Sequence, residues 1–311
     1  MGGSSYDRDV YSGSSSSSWG TSSASTKKLS SRSLDSSMDP TGKILKSNSK
    51  YPIVIMLDVT GSNIDFAKLV YDKLPMFHGQ IEEKGYLDDF DISVCAIGDA
   101  TCDEYPLQVA DFAKGIELDS WMEKLVLEAG GGPGLTESYE LGAYYLSQQL
   151  KFKKGAKPVV FFIADEYPYP EVKRSEADKF EIPFAQTTDG FSNLRTKVKD
   201  NVFVFLNPYR GSFEKEIVST WTKLLAPQHV IKIPEEKAII DLMLGVIATL
   251  AKKTLKTYAL DMKGRGQTPA RIKGVTKALE GLEVALVPAE RFKTELPVKT
   301  GTKTSKRGKR I

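Results

Sequence analysis

Two cysteines and two histidines are all that 311 residues contain. Cys95 and Cys102 are too few for a disulfide framework or a cysteine zinc site. His78 and His229 support neither a histidine metal centre nor a recognisable serine–histidine–aspartate arrangement. Long hydrophobic runs are also missing. The longest apolar stretch, AIIDLMLGVIATLA at 238–251, is too short to span a bilayer and carries Asp241, so it reads as a packed helix. The amino terminus lacks the apolar stretch of a signal peptide. MGGSSY opens like a myristoylation site but has Tyr6 where serine or threonine is required. No G-x-x-x-x-G-K-[ST] loop occurs, which removes the P-loop nucleotidases. These absences predict a cytoplasmic protein of a reducing compartment, with no membrane contact.

What is present suffices for a core: 41% of residues are apolar and 10% aromatic. Charge is unevenly placed. Residues 291–311 hold eight lysines and arginines against one glutamate, and 1–50 hold seven against four aspartates, which leaves 51–290 acidic. Residues 1–38 contain sixteen serines and almost no aliphatic side chains, a composition that cannot offset its ordering entropy. The expected organisation is therefore a disordered serine-rich tail and linker over 1–50, a folded domain over 51–260, and a C-terminal extension with a mobile basic tail over 261–311.

Within the domain, strand and helix patterns alternate. Strands are expected at 52–59, 90–98, 107–112, 158–165, 202–208 and 229–234. Helices are expected at 62–87, 117–129, 137–150, 188–200 and 212–226, with one long helix over 235–258. Residues 269–286, PARIKGVTKALEGLEVAL, read as a short helix and a strand or second helix. Only the second and third strands are joined by a short loop, which places an antiparallel strand at one edge. The remainder predicts an α/β fold, a doubly wound, mostly parallel sheet with helices on both faces. Residues 166–187, rich in proline, tyrosine and charge, read as an irregular insertion.

In such a sheet ligands bind beyond the carboxyl ends of the strands. Three segments there carry oxygen donors. IVIMLDVTGSN places Asp58, Thr60 and Ser62 two apart where an apolar strand stops, with Gly61 for a tight turn. GGGPGLTESYELG delivers Thr136, Glu137 and Ser138 at a helix start. FFIADEY ends a strand in Asp165 and Glu166. Oxygen donors of this kind suit a hard cation such as Mg2+.

This constellation resembles the von Willebrand factor type A domain, whose metal-ion-dependent adhesion site opens with D-x-[ST]-x-S. The likeness spans roughly 51–255 and is nearer to a bacterial and α-kinase-associated branch than to integrins. It implies a metal held by Asp58, Thr60, Ser62, Thr136 and Asp165, with Mg2+ as the ion and Mn2+ or Ca2+ as alternatives. Asp99, Glu137, Ser138, Glu166 and Tyr167 would lie around it or meet a partner. With two acidic ligands, the ion's charge is only partly offset, so a partner's Asp or Glu can complete the shell. The expected function is thus a metal-dependent protein-binding module, an adaptor or scaffold rather than an enzyme. By the same resemblance, its partner would be an AAA-type ATPase or a multi-protein assembly.

Two other readings use the same residues. Haloacid-dehalogenase phosphatases also follow an apolar strand with a Mg2+-binding aspartate, but they need an acid where this chain has Thr60. The basic tail, with Lys299, Lys303, Lys306, Arg307, Lys309 and Arg310, would attract nucleic acid through phosphate. It has no interleaved aromatics to stack on bases.

Overall fold

Parallel strands covered on both faces need unbroken apolar runs, and the run ending at Asp58 meets that need. The computed structural model describes residues 33–132, 134–184 and 189–286. The serine-rich stretch to residue 32 and the basic stretch 287–311, with the nucleic-acid contact expected of it, lie outside the described residues.

The first half of the chain forms β1 (Leu45–Ser47), β2 (Tyr51–Asp58), α1 (Ile64–Glu83), β3 (Phe90–Ile97), β4 (Leu107–Val109) and α2 (Glu117–Met122). It continues through β5 (Thr136–Glu137), α3 (Tyr139–Gln149), β6 (Leu150–Phe152) and β7 (Val159–Ala164). The second half forms β8 (Tyr167–Pro168), α4 (Arg174–Lys179), α5 (Gly190–Val198), β9 (Val202–Leu206) and α6 (Glu214–Leu224). β10 (Val230–Lys232), α7 (Ile239–Leu250), α8 (Leu255–Gly264) and α9 (Pro269–Leu286) complete it.

Six strands make the main sheet in the order β10-β9-β7-β2-β3-β4. Every pairing is parallel except β3 with β4. This is the expected doubly wound α/β class with one antiparallel edge strand. Along β2, side chains alternate between two cores. Ile53, Ile55 and Leu57 join Phe77 of α1 and Met243 of α7 on one face. Val54 and Met56 join Tyr144 of α3, Phe191 of α5 and Trp221 of α6 on the other.

Four local expectations are corrected. Residues 39–50, expected as part of the N-terminal tail and linker, belong to the fold: Leu45 and Ser47 are buried, and β1 pairs in parallel with β6. A three-residue strand whose partner lies about a hundred residues away leaves no local pattern to read. The helix expected over 117–129 ends at Met122. The helix expected over 235–258 breaks after Leu250, where Lys252 takes a left-handed φ of 66°. Thr254 then caps α8, accepting from the Thr257 amide. Residues 269–286 form one helix, α9, and its Val275, Leu279 and Leu282 share a core with α7. The boundary expected at 260 therefore runs through packed helices. A buried ion pair, Arg265 to Asp241 at 2.8 Å, ties the end of α8 to α7.

Candidate metal centre

β2 and β7 are neighbours in register, with Leu57 opposite Ile163, so both strands deliver a carboxylate at the same level of the sheet. Asp58 ends β2 and Asp165 follows β7, and both are buried. The Thr60 amide and hydroxyl both donate to Asp58 Oδ1, at 2.8 and 2.6 Å. On the other side the Tyr139 hydroxyl lies 2.5 Å from Asp58 Oδ2 and 3.4 Å from Asp165 Oδ1. It also accepts from the Asp165 amide at 3.3 Å. One phenolic oxygen thus sits between the two acids, held there by its position at the first turn of α3. Its ring packs 5.4 Å from that of Trp221.

Burial, reinforced by the charge of Asp165, pushes the Asp58 carboxyl up to about 8 against the pull of the Thr60 and Tyr139 hydrogen bonds. Glu137 is driven up to about 10, by burial first and then by Asp58, Glu166 and other acids. Burial also raises the Tyr139 hydroxyl well above its ordinary value. Acids brought this close require either a proton or a cation among them.

The loops explain the placement. Gly61 approaches the loop after residue 128 closely: its amide donates to Gly130 O at 2.8 Å, and a Cβ there would lie 3.0 Å from Ala129 O. Its role is this close approach, and its φ is not in the left-handed region. β5 pairs in parallel with β8, Thr136 opposite Tyr167 and Glu137 opposite Pro168. The insertion after Asp165 thus begins as a strand that fastens the glycine-rich loop beside the sheet ends.

Of the expected ligands, the structure joins Asp58, Thr60 and Asp165. Ser62 stands exposed on the loop before α1, and Thr136 is half-buried in β5. Neither hydroxyl is hydrogen-bonded to Asp58 among the described contacts. The Ser138 hydroxyl is engaged elsewhere, accepting from the Ala100 amide at 2.9 Å, which leaves Thr136 as the hydroxyl of this loop. Asp99 is buried, accepts from the Thr101 amide, and lies 3.3 Å from the Tyr169 hydroxyl. Glu166 is buried, and its carbonyl accepts from the Trp221 indole. Tyr167 and Tyr169 are half-buried. The Tyr167 hydroxyl reaches Glu216 at 3.3 Å.

One participant was missed at the sequence level, Tyr139, together with two buried polar residues near it, Glu140 and Asn63. Glu140 is buried, held well above its ordinary value by burial, and accepts from the Tyr169 amide. Asn63 is buried just before α1, with its Oδ1 unpartnered among the described residues. A buried polar residue directly after D-x-T-x-S is a signal that could have been read.

These donors are oxygens only, which suits a hard divalent cation and not a soft one. The Thr60 hydroxyl spends its hydrogen on Asp58 and keeps its lone pairs for an ion. The residues present fit such an ion. No described helix is long and apolar enough to cross a membrane.

Fold and site together define an α/β domain with an acidic, hydroxyl-rich centre at the carboxyl ends of its parallel strands. No family model matches the chain, and no curated protein matches it. Among solved structures it is similar to the pilus adhesin SpaC of Lactobacillus rhamnosus GG in its open conformation, at 11% identity and a TM-score of 0.45. That likeness covers 67% of this chain and 31% of the adhesin. It is also similar to proximal thread matrix protein 1 of the mussel byssus, at 10% identity and a TM-score of 0.42, over 65% of this chain and 48% of that one. One structure of the mussel protein has a zinc-occupied MIDAS motif. The chain thus spans less than half the length of the structures it matches.

Proposed function

We propose that this protein is a metal-dependent binding module that recognises another protein through a divalent cation at the Asp58–Asp165 centre. The observation that carries the reading is the pair of buried carboxylates meeting at one hydroxyl on adjacent parallel strands. The chain's own donors would be Asp58, Thr60, Ser62, Thr136 and Asp165, with Mg2+ as the ion. A bound ion would offer a partner's carboxylate a ligand position, a charge-assisted and chelator-sensitive contact. Ser62, exposed at the loop tip, stands where such a partner would approach. Asp58 orients the Thr60 hydroxyl, and the Tyr139 hydroxyl sits between the two acids. This reading assigns no catalytic residue. It places the protein in the cytoplasm, in keeping with two unpaired thiols, one buried and one exposed.

Calorimetric titration of Mg2+ into the full chain, wild type beside Asp58→Ala, tests it. Binding in the wild type only, with unchanged circular dichroism, supports the centre. Added aspartyl peptide should then tighten Mg2+ binding. Equal heats in both proteins would remove the centre from consideration.

A further inference from the structure

Two carboxylates fasten the loop after β3 to the glycine-rich loop that passes the centre, one from each side. Asp103 Oδ2 accepts from the Asp99 amide at 2.7 Å within its own loop, and Oδ1 accepts from the Gly131 amide at 3.2 Å in the other. In return, Glu128 accepts from the Glu104 and Tyr105 amides at 3.1 and 2.9 Å. The Asp103 carboxylate fills the space in which side chains of Gly98 and Gly130 would stand, and a Cβ on either would overlap it. Neither glycine has a left-handed φ, so the carboxylate and not the backbone excludes a larger residue there.

The loop held in this way reaches the hydroxyl donors. The Gly61 amide donates to Gly130 O at 2.8 Å and the Ala129 amide to Val59 O at 3.2 Å. A Cβ on Gly131 would lie 3.6 Å from the Thr60 Cβ. Ala129, Gly130 and Gly131 have no side chain larger than a methyl with which to anchor themselves, and glycine backbone is costly to order. We infer that Asp103 is a positioning residue of the cation site. By fixing residues 129–131 against the turn at Gly61, it sets the Thr60 and Ser62 hydroxyls for the ion without touching it. The inference rests on reading the Asp58–Asp165 centre as a cation site. Mg2+ demands near-ideal octahedral geometry and Ca2+ accepts a flexible shell, so a loosened turn penalises Mg2+ more than Ca2+.

The test is calorimetric titration of the full chain with Mg2+ and, separately, Ca2+, for the wild type, Asp103→Ala, Gly130→Ala and the double variant. Melting is followed in EDTA. The expected result is Mg2+ affinity at least tenfold weaker in Asp103→Ala, with a smaller loss for Ca2+. Gly130→Ala pushes the carboxylate aside, so it should weaken Mg2+ binding when Asp103 is present. In Asp103→Ala it should add nothing, because the vacated space takes the new methyl. Wild-type Mg2+ affinity in Asp103→Ala, with only a lower melting temperature in EDTA, overturns the inference and leaves the centre standing. No binding to the wild type overturns both. Should Asp103→Ala not fold, Asp103→Asn replaces it, since one amide oxygen can serve only one of the two backbone donors. Weakened Mg2+ binding in that variant supports the positioning role, and unchanged binding overturns it.

Discussion

Asp58 is under two opposed demands. Burial and Asp165 favour its neutral form, while Thr60 and Tyr139 direct hydrogens at it and favour the charged one. Because its folded value stands near 8 against 3.8 for an unperturbed aspartate, the folded state holds a proton that the unfolded chain has released. Stability from this group is complete below about pH 4 and is lost as pH rises toward 8. His78 and His229 act with the opposite sign. Burial lowers both, so their contribution is full above about pH 6.5 and falls as pH drops below it. In chelator, unfolding free energy should therefore decline between pH 6.5 and 8, by roughly 1 kcal/mol per pH unit per titrating acid. Saturating Mg2+ should flatten the decline. A stability curve rising through that interval in chelator would show that Asp58 is ionised already. Asp58→Asn should be at least as stable as wild type in chelator at pH 8, while losing any Mg2+-dependent rise in melting temperature. Asp58 and Asp165 could be read from sequence because each ends an unbroken apolar run, and in a parallel sheet that end is the ligand side. Tyr139 could not. Its hydroxyl reaches both acids only through the register of β2 with β7 and the entry angle of α3, neither of which leaves a mark on the sequence nearby.

Among the elements, α3 is the one on which the centre most depends, since its first turn carries Tyr139 and Glu140. It is packed tightly against α5: a Cβ on Gly190 would meet the Tyr144 amide nitrogen at 2.6 Å and Glu140 O at 2.7 Å. Backbone cannot yield as a side-chain tip can. Gly190→Ala should destabilise by about 1–3 kcal/mol in urea unfolding and weaken Mg2+ binding as well, because relief requires α3 to shift. A variant of wild-type stability would mean that α5 moves instead. The cap of α8 makes a smaller claim, with Thr254→Ala expected to cost about 1 kcal/mol. Four strands of the main sheet, β2, β3, β7 and β9, were legible because each is a run of five to eight mostly apolar residues bounded by turns. The pairs β1–β6 and β5–β8 were not, since strands of two or three residues are defined by distant partners rather than by a pattern. The break between α7 and α8 was legible in principle, from the threonine that caps the second helix.

At the scale of the whole molecule, the chain after α7 is anchored by the pair Asp241–Arg265, both buried, with the Arg265 guanidinium 3.2 Å from the Tyr258 hydroxyl. Tyr258 in turn donates to the Asp241 carbonyl. Such a pair adds little net stability over apolar residues of its shape, but removing one member strands the other. Arg265→Met should cost about 3–5 kcal/mol, and the double variant Asp241→Leu with Arg265→Met markedly less. Equal losses in the two would show that Asp241 finds another partner. Asp241 was legible only as a reason to reject a membrane span; what it does depends on Arg265, 24 residues further on.

Trp221 gives the molecule an optical property of its own. Its indole is fully buried, donates to the Glu166 carbonyl beside Asp165, and packs on the ring whose hydroxyl touches Asp58. Any ion that displaces a proton from that cluster alters the field across this indole. Of the three tryptophans, Trp121 is half-buried on α2 and Trp19 lies outside the described residues. Intrinsic emission excited at the indole band should therefore shift or change in intensity as Mg2+ is added, and Trp221→Phe should silence that response. The centre thus comes with a built-in fluorophore, readable without a label and before any partner is known.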